Sequence, residues 1–145
     1  MSLTVSKDAE FLNRVINDPS VFPWISLGME GPFDVSDVMA RDTTVFLADE
    51  YGGFLFVECG PAMYEVHTQF LPGGRGPAVL RKAKEAVAYM FRHTPCIAIR
   101  TFVSDGNEPA RKLTLAVGFE DIGAGEVFGK AGRNYLLTIK GWVCH

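Results

Sequence analysis

Along the stretch YEVHTQFLP, Glu65, His67 and Gln69 alternate with Val66, Thr68 and Phe70. In a strand this spacing puts the three polar side chains on one face and the other three on the opposite face. A polar face on an apolar strand is odd unless it borders a cleft. An imidazole beside a carboxylate can take a proton from an incoming nucleophile, and imidazole changes charge near neutral pH. His67 is therefore the preferred base and Glu65 the second candidate. Two plainer accounts stand beside this one: His67 as a hydrogen-bonded core histidine, and Glu65 as a salt-bridged structural residue.

The residues that follow are Gly73, Gly74, Arg75, Gly76, Pro77 and Ala78, and they lead into AVLRKAKEAVAYMFRH. Val79, Ala83, Ala86, Val87 and Met90 recur at helical spacing, with Pro77 placed where a missing N–H does no harm. A strand feeding a glycine turn into a helix start bares backbone N–H groups at the positive end of a dipole, a pocket suited to phosphate. Arg75, Arg81, Lys82 and Lys84 are expected to add positive charge there. Taken alone, the turn has a second explanation, a tight bend that needs positive φ. It is neither a Walker A loop nor a dinucleotide fingerprint.

The elements that must hold these residues are short. DAEFLNRVIN places Phe11, Leu12, Val15 and Ile16 on one helical face, and Pro19 and Pro23 break the chain into an aromatic loop. Residues 35–41 read as a short second helix. TTVFLAD and GFLFVEC form a hairpin around Glu50-Tyr51-Gly52-Gly53, and Gly60-Pro61 turns the chain into the strand that holds His67. CIAIRTFVSD is a further strand, parallel to the strand before the helix by the crossover rule. NEPARKLTLAV reads as a helix closed by Gly118. Two last strands, Phe119 to Phe128 and Tyr135 to Val143, flank a turn at GKAGRN. The 145 residues fit one domain with 48% apolar and 21% charged residues. A net charge of −3 argues against a surface built for nucleic acid. Cys59, Cys96 and Cys144 have no metal or disulfide spacing, and no membrane span or leader pattern is present, so no metal, no membrane partner and a cytoplasmic setting are expected.

A second signature stands downstream: Asn107, Ala110, Leu113, Gly118 and Phe119 fit N-x-x-A-x-x-L-x(4)-G-F on a short helix after a strand. Together with FLPGGRGPAVL upstream, the chain resembles the GNAT superfamily of N-acetyltransferases, and in detail the small GNAT-like proteins of bacteriophage genomes that carry an EVHxxFLPxxRG segment. The resemblance runs from the first helix to the last strand. It implies a single GNAT-like domain over residues 1–145. Its fold would be α/β (α+β), a mixed, mostly antiparallel sheet of six to seven strands with about four helices and a splayed parallel pair.

The resemblance also implies acetyl-CoA as cofactor. Backbone groups of Gln69, Phe70 and Leu71 would bond its pantetheine arm. The turn Gly73, Gly74, Arg75, Gly76, Pro77 and Ala78 would hold the diphosphate. Asn107 would stand near the thioester, and Arg111 and Lys112 would reach the nucleotide's phosphates or simply be solvated helix residues. Glu65 or His67 would deprotonate the amine. Two departures matter. Gly73 occupies the position usually held by Gln or Arg, and Pro77 removes an N–H that phosphate would use. Thr114 replaces a tyrosine that often protonates the leaving thiolate. A non-catalytic GNAT-fold binding or phage accessory protein is the alternative these departures motivate. The acceptor, a small-molecule or peptide amine, would be walled by residues 22–29 and 126–134. The apolar final stretch YLLTIKGWV offers a surface on which a homodimer can form.

Overall fold

A computed structural model describes residues 2–144. In chain order the elements are β1 (Thr4–Ser6), α1 (Ala9–Ile16), α2 (Phe22–Ile25), α3 (Ser36–Met39), β2 (Val45–Asp49), β3 (Gly52–Gly60), β4 (Met63–Phe70), α4 (Ala78–His93), β5 (Ala98–Ser104), α5 (Glu108–Val117), β6 (Glu120–Val127), β7 (Lys130–Thr138) and α6 (Ile139–Cys144). The strands form one sheet in the order β1-β2-β3-β4-β5-β7-β6. Every neighbouring pair is antiparallel except β4 and β5. The expected mixed, mostly antiparallel sheet is therefore present, with seven strands among the described residues.

Local chemistry sets the element ends. Asp8 caps α1 by accepting from the Phe11 amide, and Asn107 caps α5 by accepting from Ala110. Gly118 ends α5 at φ 117°, a conformation that glycine adopts without strain. Alternation splits the core. Leu47, Phe54, Phe56, Tyr64, Ile99 and Tyr135 pack under α4 and α5, while Phe46 and Leu55 meet Leu12, Ile16 and Met39 of α1 and α3 on the other face. Each fully buried Phe or Leu in these layers contributes about 1.5–3 kcal/mol against the exposed state.

Three details differ from the sequence reading. The last strand ends at Thr138, and residues 139–144 are helical instead of extended. Thr138 Oγ1 accepts from the Gly141 amide, and Trp142 packs on Phe91 at 5.2 Å, so a side-chain cap and an aromatic contact outweigh the β-prone composition. The β6–β7 turn is Phe128-Gly129, both at positive φ, so residues 130–134 belong to β7. The loop after α1 holds a helical turn, α2, and the described residues hold six helices where about four were expected, three of them of only four to six residues.

Candidate active site

The two central strands share three rungs, Met63↔Ala98, Tyr64↔Ile99 and Glu65↔Arg100. Beyond them β4 stays with β3 as far as Phe70↔Gly52, whereas β5 follows β7 to Ser104↔Gly132. The parallel pair therefore parts after Glu65. The Leu71 amide donates to Tyr51 O on the β3 side, while Val66 O accepts from Thr101 Oγ1 on the β5 side. Antiparallel alternation then points the backbone groups of Thr68 and Phe70 into the gap, and those of Gln69 and Leu71 away from it. Among the triplet expected to line the gap, Phe70 is thus the residue whose backbone does so, and Thr68 joins it. Behind the gap lies a cleft of about 40 Å³ lined by Phe54, Thr68, Val87, Thr101, Leu113 and Thr114.

At the end of β4 the chain makes a 3-10 turn over Pro72–Gly74. The Gly74 amide donates to Leu71 O and the Arg75 amide to Pro72 O, so the turn itself consumes two N–H groups of the expected pocket. The amides of Gly73, Gly76 and Ala78 have no acceptor among the described residues. Gly76 sits at φ 113° beside Pro77, which caps α4. Gly73 and Gly74 are required for another reason: a Cβ on either would meet the Tyr51 side chain at 2.7 and 2.4 Å.

The expected cations are distributed differently. Arg75 does not aim into the turn: its Nε donates to Phe70 O at 3.0 Å and a terminal nitrogen to Ser20 O at 2.7 Å. Lys82 is paired with Asp49 at 2.6 Å and lies over the Phe70 ring. Arg81 and Lys84 are exposed on α4.

His67 and Glu65 occur together on the opposite face of β4. His67 Nε2 lies 2.9 Å from Glu65 Oε1, and Arg100 Nε lies 3.1 Å from Glu65 Oε2. The His67 side chain is 50% exposed, so it is not a core residue. Glu65 is ion-paired, and the hydrogen bond from His67, aided by the nearby Arg100 charge, holds its carboxyl below the usual range against the opposing effect of burial. Gln69 is buried, and its amide nitrogen donates to Gly53 O and His67 O. Arg100 escaped the sequence reading, although a lone charge inside the apolar run CIAIRTFV was a signal.

Asn107 Oδ1 is occupied in capping α5, 3.4 Å from the Ala110 amide. Arg111 pairs with Glu108 one turn back, at the surface. Thr114 Oγ1 donates to Ala110 O at 2.7 Å. On the His67 side, the two walls expected around the acceptor approach each other: a Cβ on Gly28 would lie 3.1 Å from Lys130 Cε. Phe22 stacks on Phe33 at 5.0 Å, and Trp24 on the same wall is 60% exposed.

No protein-family model matches the chain, and comparison with curated proteins gives no match. Solved structures with this fold include spermidine N-acetyltransferase from Vibrio cholerae in complex with CoA and spermine, at 16% identity and TM-score 0.78 over 98% of both chains. The aminoglycoside acetyltransferase AAC(6')-Ib with coenzyme A superposes at 15% identity and TM-score 0.77, over 99% of this chain and 97% of that one. A GNAT-family acetyltransferase from Bacillus anthracis superposes at 18% identity and TM-score 0.71 over 95% of both. At such identities the likeness is one of fold.

Proposed function

We propose that this protein is an acetyl-CoA-dependent N-acetyltransferase whose acceptor is a small-molecule amine. One observation carries the reading: β4 and β5 part after Glu65↔Arg100, and the opened edge runs into a turn where the Gly73, Gly76 and Ala78 amides are free. Unpaired backbone groups beside a parallel strand fit the amides of a pantetheine arm, and bared N–H groups at a helix start fit a diphosphate. Structures of this fold bind CoA with spermine or act on aminoglycosides, which supports an amine acceptor.

In this reading Gly73, Gly76 and Ala78 would hold the diphosphate through their N–H groups, and Thr68 and the Phe70 N–H would hold the arm, the Phe70 carbonyl being taken by Arg75. Acetyl-CoA, when bound, supplies the thioester carbonyl that the amine attacks. Glu65 receives the Nε2–H of His67, which leaves Nδ1 with the lone pair that takes the amine's proton. The His67 hydrogen bond, and in lesser part Arg100, favours the ionised form of Glu65, and Gln69 donates to the His67 carbonyl. Placing the base opposite α4 and α5 lets the acceptor approach between the residue 22–29 wall and the β6–β7 hairpin. Asn107 is assigned to capping α5. Arg111 would contact the nucleotide only by leaving Glu108.

Titration calorimetry with CoA and acetyl-CoA tests the cofactor, and a thiol-release assay over an amine panel tests the transfer. Absence of heat at millimolar cofactor would refute the reading.

A further inference from the structure

Arg75 belongs to the anion turn by sequence, yet its side chain leaves it. Its Nε donates to Phe70 O, the last carbonyl that β4 directs toward the gap, and a terminal nitrogen donates to Ser20 O, in the loop between α1 and α2. One guanidinium thus bridges the edge of the proposed cofactor gap and the start of the acceptor wall. Asp18, four residues before α2, lies near the same cation: its carboxyl is held below the usual range, chiefly because Ser20 donates to it and in lesser part through Arg75.

The wall has few other ties to the turn. Asp18 and Ser20 bond each other, and the Val21 and Phe22 amides both return to Asp18 O, so residues 18–22 form one small knot. Downstream, Phe22 packs on Phe33, and Gly31 closes on the Phe22 ring so tightly that a Cβ there would meet it at 2.6 Å. A shift of Ser20 is therefore handed to Phe22 and the wall as a body.

We infer that Arg75 is a positioning residue that couples occupancy of the anion turn to the set of the acceptor wall. The inference rests on the function proposed above. Arg75 holds its two carbonyls from two different nitrogens of one rigid plane, a spacing that a lysine, with all its donors on a single atom, does not reproduce. Coupling of this kind is reciprocal: whatever CoA gains by ordering the turn, the wall gains in order, and the acceptor then meets a formed pocket.

The experiment is amide hydrogen exchange over residues 18–33, with and without saturating CoA, on wild type, Arg75→Lys and Arg75→Ala. CoA binding is measured by calorimetry on the same samples, and near-UV dichroism reports folding. In wild type, CoA slows exchange in 18–33 by roughly tenfold, the scale of one hydrogen bond to a charged donor. In both variants CoA still binds, but 18–33 no longer responds, and the lysine does not rescue it because charge alone is insufficient. Equal protection in wild type and both variants overturns the coupling, as does CoA binding to wild type with no change in 18–33. A wild type that binds no CoA overturns the underlying function as well. If Arg75→Ala fails to fold, Arg75→Lys decides.

Discussion

Glu65 and Arg100 face each other across the last rung that β4 and β5 share, with Arg100 Nε 3.1 Å from Glu65 Oε2. The same carboxylate takes His67 Nε2 on its other oxygen. A cation, an anion and an imidazole therefore stand in series at the point where the strands part. On the proposed function, His67→Gln should lower kcat by about 10²-fold or more with little effect on CoA affinity. Turnover within about threefold of wild type would remove His67 as the base.

The same carboxylate carries a stability term whose sign follows from its lowered pKa. Glu65 is held below its unfolded value, so its contribution is complete above the unfolded pKa and fades as pH falls through the folded one. Arg100 and His67 are each half exposed, which keeps the term under about 1 kcal/mol. Urea unfolding of wild type and Glu65→Gln should differ at pH 7 and converge as pH falls through the lowered folded value.

Gly76 combines φ 113° with open space around its Cα, where an added Cβ meets nothing within 4 Å. Any effect of Gly76→Ala therefore comes from conformation and not from a clash. An L residue there costs about 1–2 kcal/mol, and relaxing the strain swings the Gly76 and Ala78 amides out of line. The expected result is an unchanged far-UV spectrum with CoA affinity down at least roughly tenfold, the equivalent of 1.4 kcal/mol. Unaltered CoA affinity would show that those amides do not hold the diphosphate.

Lys7 organises a region no short motif announces. Its ammonium donates to Met39 O, Arg41 O and Thr44 O at 3.1, 2.9 and 2.8 Å, closing the end of α3 onto the start of β2. Lys7→Met keeps the stem but strands three carbonyls. Denaturant titration should show a loss of about 1–2 kcal/mol, reduced from the full value of charge-assisted bonds because the site is partly exposed. A loss under a few tenths would mean water replaces the ammonium freely.

What the chain disclosed on reading divides by the range of the interaction. The α1 stripe of Phe11, Leu12, Val15 and Ile16, the Asp8 and Asn107 caps, the Gly118 stop and the polar row Glu65–His67–Gln69 depend on neighbours within a few residues, and spacing reveals them. Arg75 reaches Ser20 across 55 positions and Lys7 reaches three carbonyls more than 30 positions away, so neither role has a local pattern. The short strand β1 escaped because three residues carry too little alternation, and its Val5 is exposed. Residues 139–144 read as strand because Ile139, Trp142 and Val143 are β-prone, while the deciding contacts, Thr138 Oγ1 to Gly141 and Trp142 to Phe91, are capping or tertiary.

Thr114 stands where a tyrosine would face the departing thiol, and its geometry says what the hydroxyl does. Oγ1 donates to Ala110 O at 2.7 Å, the i−4 carbonyl of its own helix, so its proton points into α5 and away from the gap. The rest of the side chain joins Leu113, Phe54 and Val87 around the cleft. Valine has the same shape without the proton. Thr114→Val should therefore leave kcat within about threefold and stability within about 1 kcal/mol, because the Ala110 carbonyl retains its helical surroundings. Proton delivery by Thr114 would instead show as a loss of 10² or more in kcat at unchanged CoA affinity, the signature of an interaction made only in the transition state. That outcome would require the hydroxyl to rotate off Ala110 during turnover and would return the threonine to the catalytic set. On the proposed function, the expected small effect leaves the departing thiolate to be protonated by water reaching it along the open edge of β4.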